Sequence, residues 1–290
     1  MKKTHLLGII PTTACALLLV AGCANRGFQS SGDSYGNVSK AISKAAPLFA
    51  HVANGNIEQV KELAAEGHSL DAHNSEGITP LIFAIQRNNL PMIKSLVALG
   101  ADVNFSDTHG ETPLMYVIKN CNKTVPKTLD NGTVVYIEQD GSINRFLVEF
   151  LFASNADINA YDAMQQTALI KAASVGNKDA VNLFIEHGAE VNFKDLKGRT
   201  ALMCAASNGH TETAKLLVEF HVDVNAVDDD GQTALIHAAQ YGYTDIVRLL
   251  VKKGAHVNIR DQFGATALKL AHLRGYKEIA SVVIHAGGTE

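Results

Sequence analysis

A 33-residue period is the feature that most restricts how this chain of 290 residues can fold. The triplet Thr79-Pro80-Leu81 recurs as Thr112-Pro113-Leu114, and Thr-Ala-Leu follows at positions 167, 200, 233 and 266. Consecutive threonines lie 33 residues apart, except that 112 and 167 are separated by 55, which is 33 plus 22 additional residues. Ala46-Pro47-Leu48 is a degenerate first copy. Seven copies therefore predict a repeat architecture in which each unit packs on its neighbours.

Each copy has the pattern of two short antiparallel helices that follow a turn. The threonine can cap the first helix through its hydroxyl, and proline or alanine suits the first helical turn. The second helix has apolar residues three and four apart, such as Ile246, Val247 and Leu250, which predicts one buried face. Glycines at 100, 188 and 254 are expected to end second helices in the left-handed conformation. Asp-x-x-Gly sequences before the threonines predict the turns.

This pattern resembles the ankyrin repeat over residues 44–287, and it includes the family's closing sequence as Gly-Ala-Asp-Val-Asn at 100–104. The resemblance implies an all-α ankyrin-repeat solenoid of seven helix-turn-helix units with β-turn tips and one hairpin-like insertion, in a domain spanning 44–290. One departure is that the histidine which follows Thr-Pro-Leu in the family is replaced, for example by Ile82 and Met115.

In the ankyrin family the turn tips and the exposed side of the first helices form a concave groove that binds proteins. Carried onto this sequence, the partner-binding positions are Met164, Val175, Lys197, Arg199, Asp229, Asp230, Gln232, Gln240, Tyr241, Phe263 and Arg274. Tyrosine, phenylalanine and arginine at 241, 263 and 274 stand out, because large and amphipathic side chains often anchor interfaces. Incidental exposure is the alternative for any one of them.

The 22 additional residues, at about 121–142, are the largest departure from the repeat. Asp130-Asn131-Gly132 between two extended segments predicts a β-hairpin. Val135 and Tyr136 belong to an apolar run that a partner or a neighbouring copy has to cover, and we include both among the candidate binding residues. A neutral insertion is the alternative.

The N-terminus has the pattern of an export signal, with Lys2 and Lys3 before a short apolar stretch. Val20-Ala21-Gly22-Cys23 resembles the lipobox of bacterial lipoproteins. The resemblance implies a signal peptide at 1–22, cleavage before Cys23, and acylation of its thiol and amine with chains such as palmitate, which would anchor the chain stably. Residues 23–43 then comprise the lipidated cysteine and a flexible tether. Because Ala24 follows the cysteine, we expect the periplasmic side of the outer membrane; an ordinary signal peptide is the alternative.

Charge and motifs exclude several function classes. Removing residues 1–22, with two lysines and no acids, changes the formal charge from −4 to −6, which argues against nucleic acid as a partner. No motif of a hydrolase, nucleotide-binding enzyme or metalloprotease occurs, and the twelve histidines are scattered. We therefore expect no catalytic residues, no cofactor and no metal site. Cys121 and Cys204 lie two copies apart, too far for a disulfide.

The expected function is that of a non-enzymatic, lipid-anchored periplasmic scaffold that binds another protein, and we expect the chain to be a monomer. One use is immunity, in which the scaffold neutralises an effector that acts in the periplasm. The alternative is an envelope factor that supports an oxidative-stress enzyme or has another structural role. An enzyme with an unrecognised site is the more distant rival.

Overall fold

The computed structural model describes residues 47–120, 124–128, 134–138 and 144–290. The signal, Cys23 and the tether lie outside the described residues. Within the described part, the strands are β1 (Thr124–Thr128) and β2 (Val134–Glu138), and the helices are α1 (47–54), α2 (Ile57–Ala65), α3 (Pro80–Gln86), α4 (Leu90–Ala98), α5 (Pro113–Asn120), α6 (Arg145–Ala153), α7 (Ala168–Ser174), α8 (Lys178–Glu186), α9 (Ala201–Ser207), α10 (Thr211–Glu219), α11 (Ala234–Tyr241), α12 (Thr244–Lys252), α13 (Ala267–Arg274) and α14 (Lys277–His285).

These helices form seven consecutive pairs, which confirms the all-α repeat solenoid. Five threonines cap the first helices as expected, because each hydroxyl oxygen accepts the backbone N–H three residues later at 3.2–3.4 Å; they are Thr79, Thr167, Thr200, Thr233 and Thr266. The glycines at 100, 188 and 254 have positive φ angles of 96°, 87° and 85°, as predicted for the ends of second helices. Thr112 is an exception, described below.

The core runs along the stack because, from the second copy onward, each first helix packs on the first helix of the next copy. The leucine two residues after each threonine is buried in every copy from the second onward: Leu81, Leu114, Leu169, Leu202, Leu235 and Leu268. Alanine lies three residues further on in five of these copies, at 84, 172, 205, 238 and 271, and is fully buried. Its small side chain lets neighbouring helices approach closely.

From the second copy onward, asparagine side chains join each copy to the next on the side of the loops, and Asp71 does so between the first two copies. The Asn192 side-chain oxygen accepts the backbone N–H of Asp223 at 2.9 Å, and Asn225 accepts that of His256 at 2.7 Å. The same bond recurs from Asn104 to Asp157, from Asn159 to Glu190 and from Asn258 to Thr289. These bonds satisfy backbone donors that would otherwise lack a partner, and they fix the spacing of the copies.

The insertion contains the predicted antiparallel hairpin. β1 pairs with β2 in a register that places Thr128 opposite Val134 and Thr124 opposite Glu138. The turn that holds Asn131 and Gly132 lies outside the described residues. Val135 and Tyr136 are on β2, and their role in binding stays a prediction. Among the helices described here, none is long and apolar enough to cross a membrane.

Candidate binding groove

The turn tips form a continuous row along one edge of the stack. Six tips are described, and each takes the number of its copy, from the second tip to the seventh: 74–77, 107–110, 162–165, 195–198, 228–231 and 261–264. In the tips of copies three to seven, the second residue donates its backbone N–H to the carbonyl of the third residue in the preceding tip. These bonds run from 108 to 76, 163 to 109, 196 to 164, 229 to 197 and 262 to 230, at 2.8–3.1 Å. The tips are therefore held at fixed positions relative to one another before any partner arrives.

A buried aspartate shapes the tip of each copy from the third to the seventh. In copy five, Oδ1 of Asp195 accepts the backbone N–H groups of Lys197 and Arg199, both at 2.9 Å. Asp107, Asp162, Asp228 and Asp261 make the same pair of bonds in their own tips. The tip backbone, and the side chains that it presents, thus depend on a carboxylate beneath the surface.

The second oxygen of each aspartate is bound by a side chain that differs from copy to copy. The residue nine positions later supplies it in three copies: Tyr116 to Asp107 at 2.7 Å, Lys171 to Asp162 at 2.7 Å and His237 to Asp228 at 2.8 Å. The corresponding residues in copies five and seven are Cys204 and Leu270: the thiol makes no such bond here, and leucine has no donor. Arg199 binds Asp195 at 2.7 Å instead, and Gln232 binds Asp261 at 3.3 Å.

These contacts change the proton affinities of several buried groups. Burial alone would raise the pKa of Asp195, but the Arg199 side chain and two backbone N–H groups lower that pKa below its usual value. The pKa of Lys171 is raised. Desolvation by burial would lower this pKa, but the hydrogen bonds of Lys171 to Asp162 and Glu111 outweigh that effect. Asp195 and Lys171 therefore stay charged over a wider pH range than exposed residues of the same type.

Copies three and four meet through a cluster of charged side chains on the floor of the groove. Lys171 binds Glu111 at 2.9 Å as well as Asp162, and all three side chains are at most 16% exposed. Glu111 also pairs with Lys119, the penultimate residue of α5 before the insertion. The cluster fixes the end of α5 from which the hairpin departs.

The predicted groove residues fall into two groups in the structure. Exposed side chains are Met164, Val175, Lys197, Asp229, Asp230, Tyr241, Phe263 and Arg274. Arg199, Gln232 and Gln240 are partly buried. The guanidinium of Arg199 and the amide of Gln232 are engaged with Asp195 and Asp261, so these two residues support the tips from below. Whether any of them contacts a partner stays a prediction.

Two exposed leucines in the groove were missed by the sequence analysis. Leu196 is 51% exposed and occupies in copy five the position of Asp229 in copy six; Leu273 is 72% exposed and occupies in copy seven the position of Gln240. Applying the 33-residue phase to every copy would have identified both. The tip-holding residues Tyr116, Lys171 and His237 were also missed, and their nine-residue spacing from the turn aspartate is the signal that could have identified them.

The described residues lack a metal-binding cluster, and their free cysteine is buried. They contain no group of three or more histidine, cysteine or acidic side chains that could hold a metal ion. Cys204 is a buried free thiol, and burial raises its pKa to about 11, which suppresses the reactive thiolate. Cys121, with which we expect Cys204 to form no disulfide, lies outside the described residues. The exposed tips and first-helix side chains are thus the principal candidate site.

Comparison with known proteins agrees with this architecture. The family model for ankyrin repeats (3 copies) matches the chain three times, at residues 48–140, 135–228 and 219–290. None of the curated proteins compared with the chain matches it.

Proposed function

The chain belongs to the ankyrin-repeat family, and we propose that it is a lipid-anchored periplasmic scaffold that binds another protein through the groove of copies four to seven. Ankyrin repeats are typically non-enzymatic interaction modules, and their presence implies that the chain binds another protein. The position of the groove, the anchor and the compartment are the parts that we add.

One observation supports this choice of surface above the others. Eleven large hydrophobic side chains are exposed among the described residues, and six of them occupy groove positions: Met164, Val175, Leu196, Tyr241, Phe263 and Leu273. All six lie in copies four to seven. The same positions in copies two and three carry polar residues such as Glu76, Arg87 and His109. Clustered exposed apolar residues on a preorganised surface are typical of a site that a partner covers.

The groove is tested by removing its two exposed aromatic rings. We expect Tyr241→Ala combined with Phe263→Ala to weaken binding by about 30-fold or more, since an interface anchor contributes about 2 kcal/mol. Phe146→Ala combined with Tyr161→Ala is the matched control, because these rings are 52% and 57% exposed but lie at other positions of the repeat. The partner is first isolated from periplasmic extract with the chain lacking residues 1–23.

A protein that the wild type and the control both retain, and that the Tyr241 and Phe263 double variant loses, supports the groove. Equal retention by both double variants would place the binding surface elsewhere. Circular dichroism melting of each variant checks that the fold persists.

The lipid anchor rests on the sequence Val20-Ala21-Gly22-Cys23 and needs its own test. We expect the full chain to incorporate radiolabelled palmitate and to remain with membranes in high salt, and Cys23→Ser to abolish the label. Labelling that persists in Cys23→Ser would contradict the proposed anchor.

The biological use that we favour is immunity, in which the scaffold neutralises an effector that acts in the periplasm. The preorganised row of tips suits tight binding to one partner, because little order is lost on association. Support of an oxidative-stress enzyme, or another structural role in the envelope, is the second candidate. Identification of the retained partner decides between them: a toxic hydrolase or nuclease indicates immunity, and a peroxide-removing enzyme indicates stress support.

A further inference from the structure

Tip six of the groove rests on a buried histidine. His237 on α11 is 9% exposed, and its Nε2 lies 2.8 Å from Oδ2 of Asp228. A carboxylate only accepts hydrogen bonds, so Nε2 is the donor. The other oxygen of Asp228 accepts the backbone N–H of Asp230 at 3.0 Å and that of Gln232 at 2.8 Å. The histidine therefore acts on the tip backbone through Asp228.

Gln232 extends this chain of hydrogen bonds into copy seven. Its side-chain Nε2 donates to Oδ2 of Asp261 at 3.3 Å. Oδ1 of Asp261 in turn accepts the backbone N–H of Phe263 at 3.0 Å and that of Ala265 at 2.8 Å. Leu270 has no donor for Asp261, so the side-chain donor of the seventh tip is Gln232 of copy six. One connected network thus lies beneath both tips.

The neighbouring fifth tip is supported differently. Both Nε and Nη2 of Arg199 bind Oδ2 of Asp195, at 3.0 Å and 2.7 Å. Gln166, which corresponds to Gln232, donates to the same oxygen at 3.4 Å, so the difference from Asp261 is the additional arginine. Because Arg199 of the same copy binds Asp195 twice, the fifth tip does not depend on His237, and it serves as an internal reference for the sixth and seventh.

We propose that His237 is a positioning residue that sets the sixth tip directly and the seventh through Gln232, so that Asp230 and Phe263 are presented to a partner as one coupled unit. That these tips face a partner rests on the proposed function; the coupling itself is a property of the free chain. The two tips are also joined directly, because the backbone N–H and the side chain of Gln262 donate to Asp230; a variant of Gln232 therefore has to separate the two routes.

The test measures backbone amide exchange by NMR in the full chain without a partner. Two substitutions come from other copies: His237→Leu takes the residue at the matching position of copy seven, and His237→Tyr takes that of copy three, where Tyr116 binds its aspartate. We expect His237→Leu to accelerate amide exchange at Asp230 and Gln232 about tenfold, because Asp228 loses one hydrogen bond to its buried charge.

In His237→Leu, amide exchange at Phe263 should accelerate by a smaller factor, and exchange at Lys197 should not change. His237→Tyr should restore slow exchange at both tips. Acceleration that is equal in the fifth, sixth and seventh tips would show a general loss of stability and overturn the proposal, as would failure of the tyrosine to rescue.

A second variant keeps the inference testable if His237→Leu does not fold. Gln232→Met has a similar size and removes only the link to Asp261, so exchange at Phe263 should accelerate while that at Asp230 stays slow. Unchanged exchange at Phe263 would overturn the coupling. Because no partner is present, these results are independent of the binding test with the Tyr241 and Phe263 double variant.

Discussion

Copies three and five begin with the same threonine signal, yet different chemistry holds them in the stack. In copy five, Thr200 caps its helix and Cys204 occupies an apolar, buried position. In copy three, the hydroxyl of Thr112 is buried without a hydrogen-bond partner in the described structure, and Glu111 reaches forward to Lys171 of copy four. The copy that accepts the insertion is thus joined to its neighbour by buried charges.

The difference teaches where a repeat tolerates an interruption. The insertion leaves the stack between α5 and α6, so the first helices still pack in sequence. The cluster of Glu111, Asp162 and Lys171 links copies whose threonines are 55 residues apart instead of 33. Such a cluster is demanding, because its charges must remain paired once they have been removed from water.

The largest expected effect comes from breaking this cluster. Lys171→Met leaves Asp162 and Glu111 buried without their shared cation, and should lower the free energy of unfolding by about 3 kcal/mol. The control Arg248→Met removes an ion pair with Glu278 whose side chains are 52% and 65% exposed, and should cost less than about 1 kcal/mol. Urea unfolding followed by circular dichroism measures both. Equal losses would mean that the junction is not specially dependent on charge.

A smaller effect, dependent on pH, is expected in copy five. Asp195→Asn removes the charge that Arg199 binds, and should cost about 2 kcal/mol at pH 7. The folded-state pKa of Asp195 is lowered, so its stabilisation is present above the unfolded pKa of about 3.9 and is lost as the pH falls through the folded pKa. Melting temperatures from pH 2 to pH 7 should therefore converge at the acidic end. A difference that persists unchanged at pH 2 would exclude this ion pair as its source.

The smallest effect compares the two threonines directly. Thr200→Ala removes a working helix cap and should cost about 1 kcal/mol. Thr112→Ala removes a hydroxyl without a hydrogen-bond partner in the described structure, and should cost less than about 0.5 kcal/mol because only the lost packing counts against it. Thermal melts of the two variants side by side measure the difference. If Thr112→Ala is the more costly, its hydroxyl has a structural partner after all.

Much of the architecture follows from local sequence patterns. Helix starts, turn tips and helix ends depend on threonine, aspartate and glycine within a few residues of one another, and the 33-residue period repeats those local preferences. Groove positions such as Tyr241 and Phe263 follow from the same phase, and both are exposed. The hairpin was predictable for the same reason, since its Asn-Gly turn is local.

The sequence by itself therefore determined the number of copies, their helices and the register of the groove, because each depends on neighbours in the chain. Only the tertiary structure decided which side chains meet beneath that groove. Lys171 pairs with Glu111, which lies sixty residues away in the chain. Arg199 and Gln232 bind aspartates below the tips, although the repeat positions of Arg199 and Gln232 suggested contact with a partner. Such pairings depend on side-chain length and on which donor an adjacent copy leaves free, and neither is encoded within one repeat.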